Sequence, residues 1–262
     1  MVFLDPVPAD LGRYYPPDYW ETEPDYAAFG AAERYKIDIV SRAAPAGRLL
    51  EIGPGNGGFS WLAVDAGYEV EVVERSPEVC RTLRSGLGVR AIQGDASPAT
   101  LRGLGPYDAV AMWHVIEHVT DPRGLLEAAA ATVMPGGAVV VATPNPRSLQ
   151  FRLLGGRWPH LDAPRHVALI PPATLVGWAG VAGLRAVELT FTDDGSLGWN
   201  QFGWSEWLVR LAPDRVRREP GRLPARLLRR AGRELARLLA PVERRDRRGA
   251  TYTAVFRRPA TD

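Results

Sequence analysis

Apolar and polar positions alternate between two periods along the chain. Leu49, Leu50 and Ile52 form a short apolar run, the mark of a buried strand, and Phe59, Leu62, Ala63 and Ala66 then fall on one helical face. The alternation continues. Residues 69–74 read as a second strand, and Ser76 with Pro77 opens a helix to Gly86 or Gly88. Residues 89–93 and 107–113 read as the third and fourth strands. Asp121-Pro122 starts a helix to Met134, and Pro135-Gly-Gly137 turns into a fifth strand over 138–143. A helix from Pro172 to about Ala182 precedes strands over 184–191 and 251–257. Residues 31–44 have the spacing of one further helix.

Strands alternating with helices imply an α/β fold, with a doubly wound, mostly parallel sheet covered on both faces. Ligands in such sheets bind outside the strand carboxyl ends. Gly53, Glu74, Asp95, Trp113 and Thr143-Pro-Asn145 all lie there, so they should meet in one cleft. Four segments follow: an aromatic arm and helix, residues 1–44, as a lid; a core, 45–192; a cap and basic helix, 193–249; and the last strand with a tail, 250–262.

Charge sharpens this division. The net charge of +2 hides 14 arginines against 6 acids in residues 205–248 and an acidic excess before them. Within 222–243, Leu223, Leu227, Leu228, Ala231, Leu235, Leu238, Leu239 and Val242 form an apolar stripe flanked by arginines. The stripe is expected to be buried on the body or in a homodimer. The alternatives are peripheral contact with an anionic membrane and nucleic-acid contact. Cys80, the one cysteine, excludes an intrachain disulfide and fits a reducing cytoplasm; no run approaches the ~18 apolar residues of a membrane span.

The chemistry centres on Glu51-Ile-Gly-Pro-Gly-Asn-Gly57. Strand, glycine turn, helix is the context that brings a ligand against backbone, with Gly53 making the turn and Gly55 leaving room for the ligand. Gly53, Gly55 and Gly58 also satisfy the dinucleotide spacing. Glu74, ending the second strand, can accept from both ribose hydroxyls of an adenine nucleoside, and Asp95 can accept from an adenine amino group. An NAD-dependent oxidoreductase and a non-catalytic nucleotide-binding domain therefore stay open at this point.

Taken together, 50–57, Val72-Val-Glu74, Gly94-Asp-Ala96, 107–118 and Met134-Pro-Gly-Gly137 resemble class I S-adenosyl-L-methionine-dependent methyltransferases. The resemblance extends to the branch with His-Val-Leu-Glu-His after the fourth strand, which includes quinone-ring O-methyltransferases and secondary-metabolite tailoring enzymes. It implies a Rossmann-like, seven-stranded sheet with the last strand antiparallel, inserted between the fifth and sixth. It implies S-adenosyl-L-methionine as cofactor, bound by Glu51, Gly53, Gly55, Gly57, Glu74, Asp95, Ala96, Trp113 and His114. The acceptor would be a small molecule methylated on O or N, such as a secondary metabolite or a quinone- or lipid-like compound, with no nucleic acid as partner. The enzyme would be cytoplasmic or at the inner membrane face.

An O-acceptor needs a base, and His166 and His114 are the candidates because imidazole titrates near neutrality. If 114–118 is helical, His114, Glu117 and His118 share a face and form an N,O,N metal-ligand set. Quinone-ring enzymes of the branch carry an acid where His114 stands, which argues against a metal.

Overall fold

The computed structural model describes residues 1–15, 24–217, 221, 223–245 and 247–260. Most of the aromatic motif of the arm, from Pro16 to Trp20, and Arg222 of the basic helix lie outside the described residues.

Seven strands form the main sheet. In chain order they are β2 (Arg48–Ile52), β3 (Glu69–Glu74), β4 (Arg90–Gln93), β5 (Tyr107–Trp113), β6 (Val133–Pro144), β8 (Arg185–Thr190) and β9 (Thr251–Arg257), after a two-residue β1 (Val2–Phe3) and with a two-residue β7 (Ala168–Leu169) between β6 and β8. Their spatial order is β4-β3-β2-β5-β6-β9-β8. The first five are parallel, and β9 runs antiparallel to both neighbours. This is the Rossmann-like arrangement that the resemblance implies. The central strands are buried on both faces by two apolar layers, so their sequences read as continuous Val, Ile, Leu and Ala runs.

The helices follow from local chemistry. Ser76 caps α3 (Pro77–Leu87) by accepting from the Val79 N–H. Helix α1 spans Tyr26–Ala43 and begins five residues before the apolar periodicity does, because the Asp25 side chain accepts from the Ala28 N–H at 2.9 Å. Helices α2 (Gly58–Asp65), α4 (Pro98–Leu101), α5 (Pro122–Thr132), α6 (Leu149–Leu154) and α7 (Pro172–Val181) complete the core. In the last part of the chain lie α8 (Asp194–Arg210), α9 (Asp214–Arg217) and α10 (Leu223–Glu243).

Three expectations change. Pro135-Gly-Gly137 does not precede a strand. It lies inside β6, whose pairing with β5 shifts register between Tyr107 and Ala109. Gly137 passes so close to the Asp108 carbonyl that a Cβ would lie 2.8 Å from its oxygen, so the tripeptide makes a bulge. Residues 114–118 form a turn rather than a helix, with His114 at φ +57°.

The third change concerns α10. It packs on α8 through Ala225, Gly232 and Ala236, while Leu223, Leu227, Leu238 and Val242 stay exposed. The stripe is thus not buried on the body as expected. Gly232 explains why: an added Cβ would lie 2.3 Å from Ser205 Cα, so the two helices meet at backbone distance. Only the small residues fit that seam.

On an open helix surface Gly→Ala stabilises by ~1 kcal/mol. At Gly232 the clash with Ser205 should outweigh that gain, because overpacking costs ~1–3 kcal/mol. Gly232→Ala should therefore lower the urea midpoint. A raised midpoint would show that α10 does not sit on α8 in this register.

Candidate functional site

A cleft of about 1410 Å³ opens at the carboxyl ends of β2, β3, β4 and β5. Glu51, Gly53, Gly55, Glu74, Asp95, Ala96, Trp113 and His114 all line it, as their strand-end positions require. Gly57 does not. It is the N-cap of α2, and a Cβ there would lie 2.5 Å from Leu83, so it serves helix packing. The far side of the cleft is lined by Glu117, His118, His160, Asp162, Arg165, His166, Trp199 and Phe202. Its rim includes Pro8 to Gly12 and Tyr15 of the arm. The arm is tied down where β1 pairs with β7, just after His166 in the chain.

On the glycine side, Glu74 is 8% exposed and its Oε1 accepts from the Ser76 N–H at 2.7 Å. Burial pushes its carboxyl pKa up, against the Ser76 and Arg75 backbone N–H groups. The ring of Trp113 is buried between Tyr35 and Phe59, and its Nε1 has no hydrogen-bond partner among the described residues. Lys36, the only lysine, holds its ammonium 5.4 Å from that ring and pairs with Glu33. An acid that accepts from hydroxyl groups, a buried donor without a partner and a cation together suit a zwitterionic nucleoside such as S-adenosyl-L-methionine.

The opposite side is built on Glu117, which has no solvent exposure. Its Oε1 lies 3.2 Å from His114 Nδ1, and its Oε2 accepts from Thr143 Oγ1 at 2.9 Å. Its backbone carbonyl accepts from Val167 and Ala168. Burial alone would raise the carboxyl pKa, but the His114 hydrogen bond and the imidazoles of His114, His118 and His166 bring it down to about 2. Because that carboxylate can only accept, His114 donates through Nδ1, and Nε2 is the ring nitrogen left to face a ligand. His166 does the same, since its Nδ1 lies 2.8 Å from the His160 carbonyl, which can only accept. Burial pulls the His166 pKa below its ordinary value. His118 Nδ1 contacts the Arg165 carbonyl at 3.1 Å and Tyr15 Oη at 2.9 Å. His160 is a structural histidine: burial lowers it to about 3, and its Nε2 donates to the Trp199 carbonyl at 3.0 Å.

The metal-ligand geometry differs from the expected set. Ligand atoms of Glu117, His118 and His166 lie within 4.8 Å of one another, whereas His114 is placed as the hydrogen-bond partner of Glu117. The turn, in place of a helix, swings His118 towards the 160–168 loop, where its ring meets His166 at 4.7 Å. Sequence reading missed Tyr15 and Lys36 as cleft residues. Thr143-Pro-Asn145, expected in the cleft from their strand end, do not line it, and Thr143 meets the site only through Glu117.

Glu51 offers a pH test. It is buried on β2, accepts from the Ser60 hydroxyl, and burial raises its pKa from 4.5 to about 7. The folded state thus binds this proton more tightly than the unfolded one. Its contribution to stability falls as pH rises from about 4.5 to 7 and is flat above. Glu51→Gln removes that slope. In urea titrations of the cofactor-free protein, the variant should gain on the wild type between pH 5 and pH 8, by on the order of 3 kcal/mol. Parallel pH profiles would contradict the assignment.

Comparison with known proteins agrees with this geometry. A methyltransferase-domain family model matches residues 26–189. The ubiquinone biosynthesis O-methyltransferase of Bordetella avium (strain 197N) is 29% identical over 181 residues, 64% of this chain and 75% of that one. The enzyme of the same name from Xanthomonas axonopodis pv. citri (strain 306) is 26% identical over 66% of this chain and 77% of its own. A putative sarcosine dimethylglycine methyltransferase from Galdieria sulphuraria shares the fold at a TM-score of 0.60 and 14% identity, over 98% of this chain and 92% of that one. A SAM dependent methyltransferase from Archaeoglobus fulgidus does so at 0.56 and 19%, over 89% and 94%. The oxidoreductase alternative lapses: the chain belongs to the methyltransferase-domain family and is an S-adenosyl-L-methionine-dependent methyltransferase acting on a small-molecule acceptor.

Proposed function

We propose that the acceptor carries a hydroxyl on an apolar ring, of the quinone or secondary-metabolite kind, and that the chain methylates this oxygen with a histidine as base. The observation behind the reading is the cluster of His114, His118 and His166 around the buried Glu117, in the same cleft as the glycine turn. An N-acceptor has less need of such a cluster. Trp199 and Phe202 offer an apolar wall for a ring, and the relatives named ubiquinone biosynthesis O-methyltransferases support an oxygen acceptor.

In this reading Glu51, Gly53, Gly55, Glu74, Asp95, Ala96 and Trp113 bind the cofactor, and Gly57 shapes the turn from behind. When bound, S-adenosyl-L-methionine supplies a methyl group made electrophilic by its sulfonium. Everything else is positioning and proton transfer. Orientation can lower the barrier by on the order of 7–11 kcal/mol in favourable cases. His114 Nε2, with Glu117 fixing its tautomer, takes the hydroxyl proton, and His166 Nε2 is the second acceptor for it. Residues 1–44 act as a lid, 45–192 as the cofactor core, and 193–249 as the cap over the acceptor, before the final strand segment 250–262. The buried single cysteine fits a cytoplasmic setting. A divalent cation on Glu117, His118 and His166 is the second reading. Loss of activity on chelation, restored by one ion, would favour it over a metal-free base.

Two expected outcomes follow from these roles. Glu74→Ala should weaken S-adenosylhomocysteine binding in calorimetry by about 1.5–3 kcal/mol, the size of charge-assisted hydrogen bonds. Unchanged affinity would mean that the ribose lies elsewhere.

His166→Ala and His114→Ala should each lower kcat on a hydroxylated acceptor, by ~10²–10⁴-fold for the acting base. S-adenosylhomocysteine affinity should stay level in His166→Ala. Full turnover in both variants would refute base catalysis here.

A further inference from the structure

Helix α10 is built the opposite way round from an ordinary surface helix. Its buried positions are small, Ala225, Gly232 and Ala236, together with Glu243, whose Oε1 accepts from Gln150 Nε2 at 3.0 Å and Trp204 Nε1 at 2.9 Å. Its large apolar residues face out: Leu223 is 68% exposed, Leu227 55%, Leu238 77% and Val242 38%. The pairs 223/227 and 238/242 are four residues apart, so they extend one line along the helix. Arg226, Arg230, Arg233 and Arg237 are also exposed and follow at intervals of four, three and four, a second line beside the first. Over 223–248 the sequence carries nine arginines against three acids.

We propose that this face docks on an anionic bilayer, with the leucines at the headgroup boundary and the arginines on lipid phosphates. Charge complementarity selects this occupant. In an antiparallel two-fold dimer through the same face, arginine row would meet arginine row, and in a parallel one it would meet the leucines, so in neither is its charge answered. The helix has no acidic row to answer it, since Glu243 is spent on Trp204 and Gln150 and only Glu234 remains. Nucleic acid would use the arginines but leave the leucines in water, and α10 offers no aromatic ring for base stacking. A bilayer surface satisfies both rows at once. The contact is peripheral, because no helix among the described residues is long and apolar enough to cross a membrane.

The neighbouring helix gives the contact a purpose. Helix α8 meets α10 through Trp204 and Ser205 and lines the cleft with Trp199, Phe202 and Arg210. One helix width, ~10 Å, thus lies between the docked face and the acceptor side. The docking itself is independent of the acceptor and of the base chemistry.

Sedimentation of the full chain with vesicles tests it. The protein should bind phosphatidylglycerol-containing vesicles and not pure phosphatidylcholine, and binding should weaken as salt rises. Arg226→Glu/Arg230→Glu/Arg233→Glu should lower partitioning on the order of a hundredfold. Leu227→Ser/Leu238→Ser should lower it even at low salt, which simple charge attraction would not. Unchanged S-adenosylhomocysteine affinity verifies that both variants are folded. The proposal is overturned by equal binding to neutral vesicles, by no vesicle binding in the wild type, or by binding that either variant leaves intact. A dimer that Leu227→Ser/Leu238→Ser dissociates, without vesicle binding, would give the face to a second copy instead.

Discussion

Glu117 is a carboxylate without solvent that must keep its charge, and much of the site is organised to let it. An ionised acid in a dry interior is tolerable only when its oxygens are filled by donors. Those donors come from two sources: His114 in the same turn, and Thr143 at the end of β6. Its peptide carbonyl adds a third attachment, receiving Val167 and Ala168 from the loop that carries His160 and His166. β7 in that loop then pairs with β1 of the arm. A single residue thus joins the β5 turn, the sheet, the histidine loop and, through that loop, the rim of the cleft. Removing its charge would leave His114 without its orienting partner and take away the negative charge that His118 and His166 lie beside.

The sheet was legible because its determinants are local. Short apolar runs, Ser-Pro and Asp-Pro helix starts, and glycines after strands each act within a few residues, and the strand boundaries at 69–74, 107–113 and 251–257 fall where periodicity puts them. What failed to be legible was decided at a distance. Helix α8 contains Gly195, Gly198 and Gly203, which argue against a helix. Two of them exist because Tyr35 and Gln150 occupy the space where a side chain would go. The Pro135-Gly-Gly bulge depends on the Asp108 carbonyl in the next strand. His114 at positive φ breaks the helix that its spacing to Glu117 and His118 suggests. The cleft-lining acids and glycines were legible; the partnership of His118 with His166 was not, since 48 residues separate them in the chain.

The basic helix shows the limit of reading amphipathicity as burial. A hydrophobic stripe says that a face is apolar, not which partner covers it. Here the seam with α8 requires atoms at backbone distance, and glycine and alanine are the residues that allow it. Leu228, Leu235 and Leu239 lie at the edge of the seam and are half-buried; the rest of the stripe is turned away by the same rotation. The buried Glu243 fixes that rotation, because its two donors on α6 and α8 can be met from one angle of the helix only.

Two buried acids in one cleft end with opposite character, and the difference separates its halves. Glu51 has one hydroxyl donor, so burial prevails and its pKa rises to about 7. Glu117 has a hydroxyl, an imidazole hydrogen bond and further imidazoles nearby, so the same burial is overcome and its pKa falls to about 2. Near neutral pH the first can gain or lose a proton as its surroundings change, and the second cannot. A carboxylate of fixed charge can hold the tautomer of a histidine through a proton transfer, because it does not compete for the proton. In the proposed assignment, one whose charge responds to its neighbours sits on the side where the positively charged cofactor would arrive and leave. On that assignment, the division of labour between cofactor side and acceptor side is thus set by the number of donors each acid meets, one on β2 and the other in the turn after its neighbour β5.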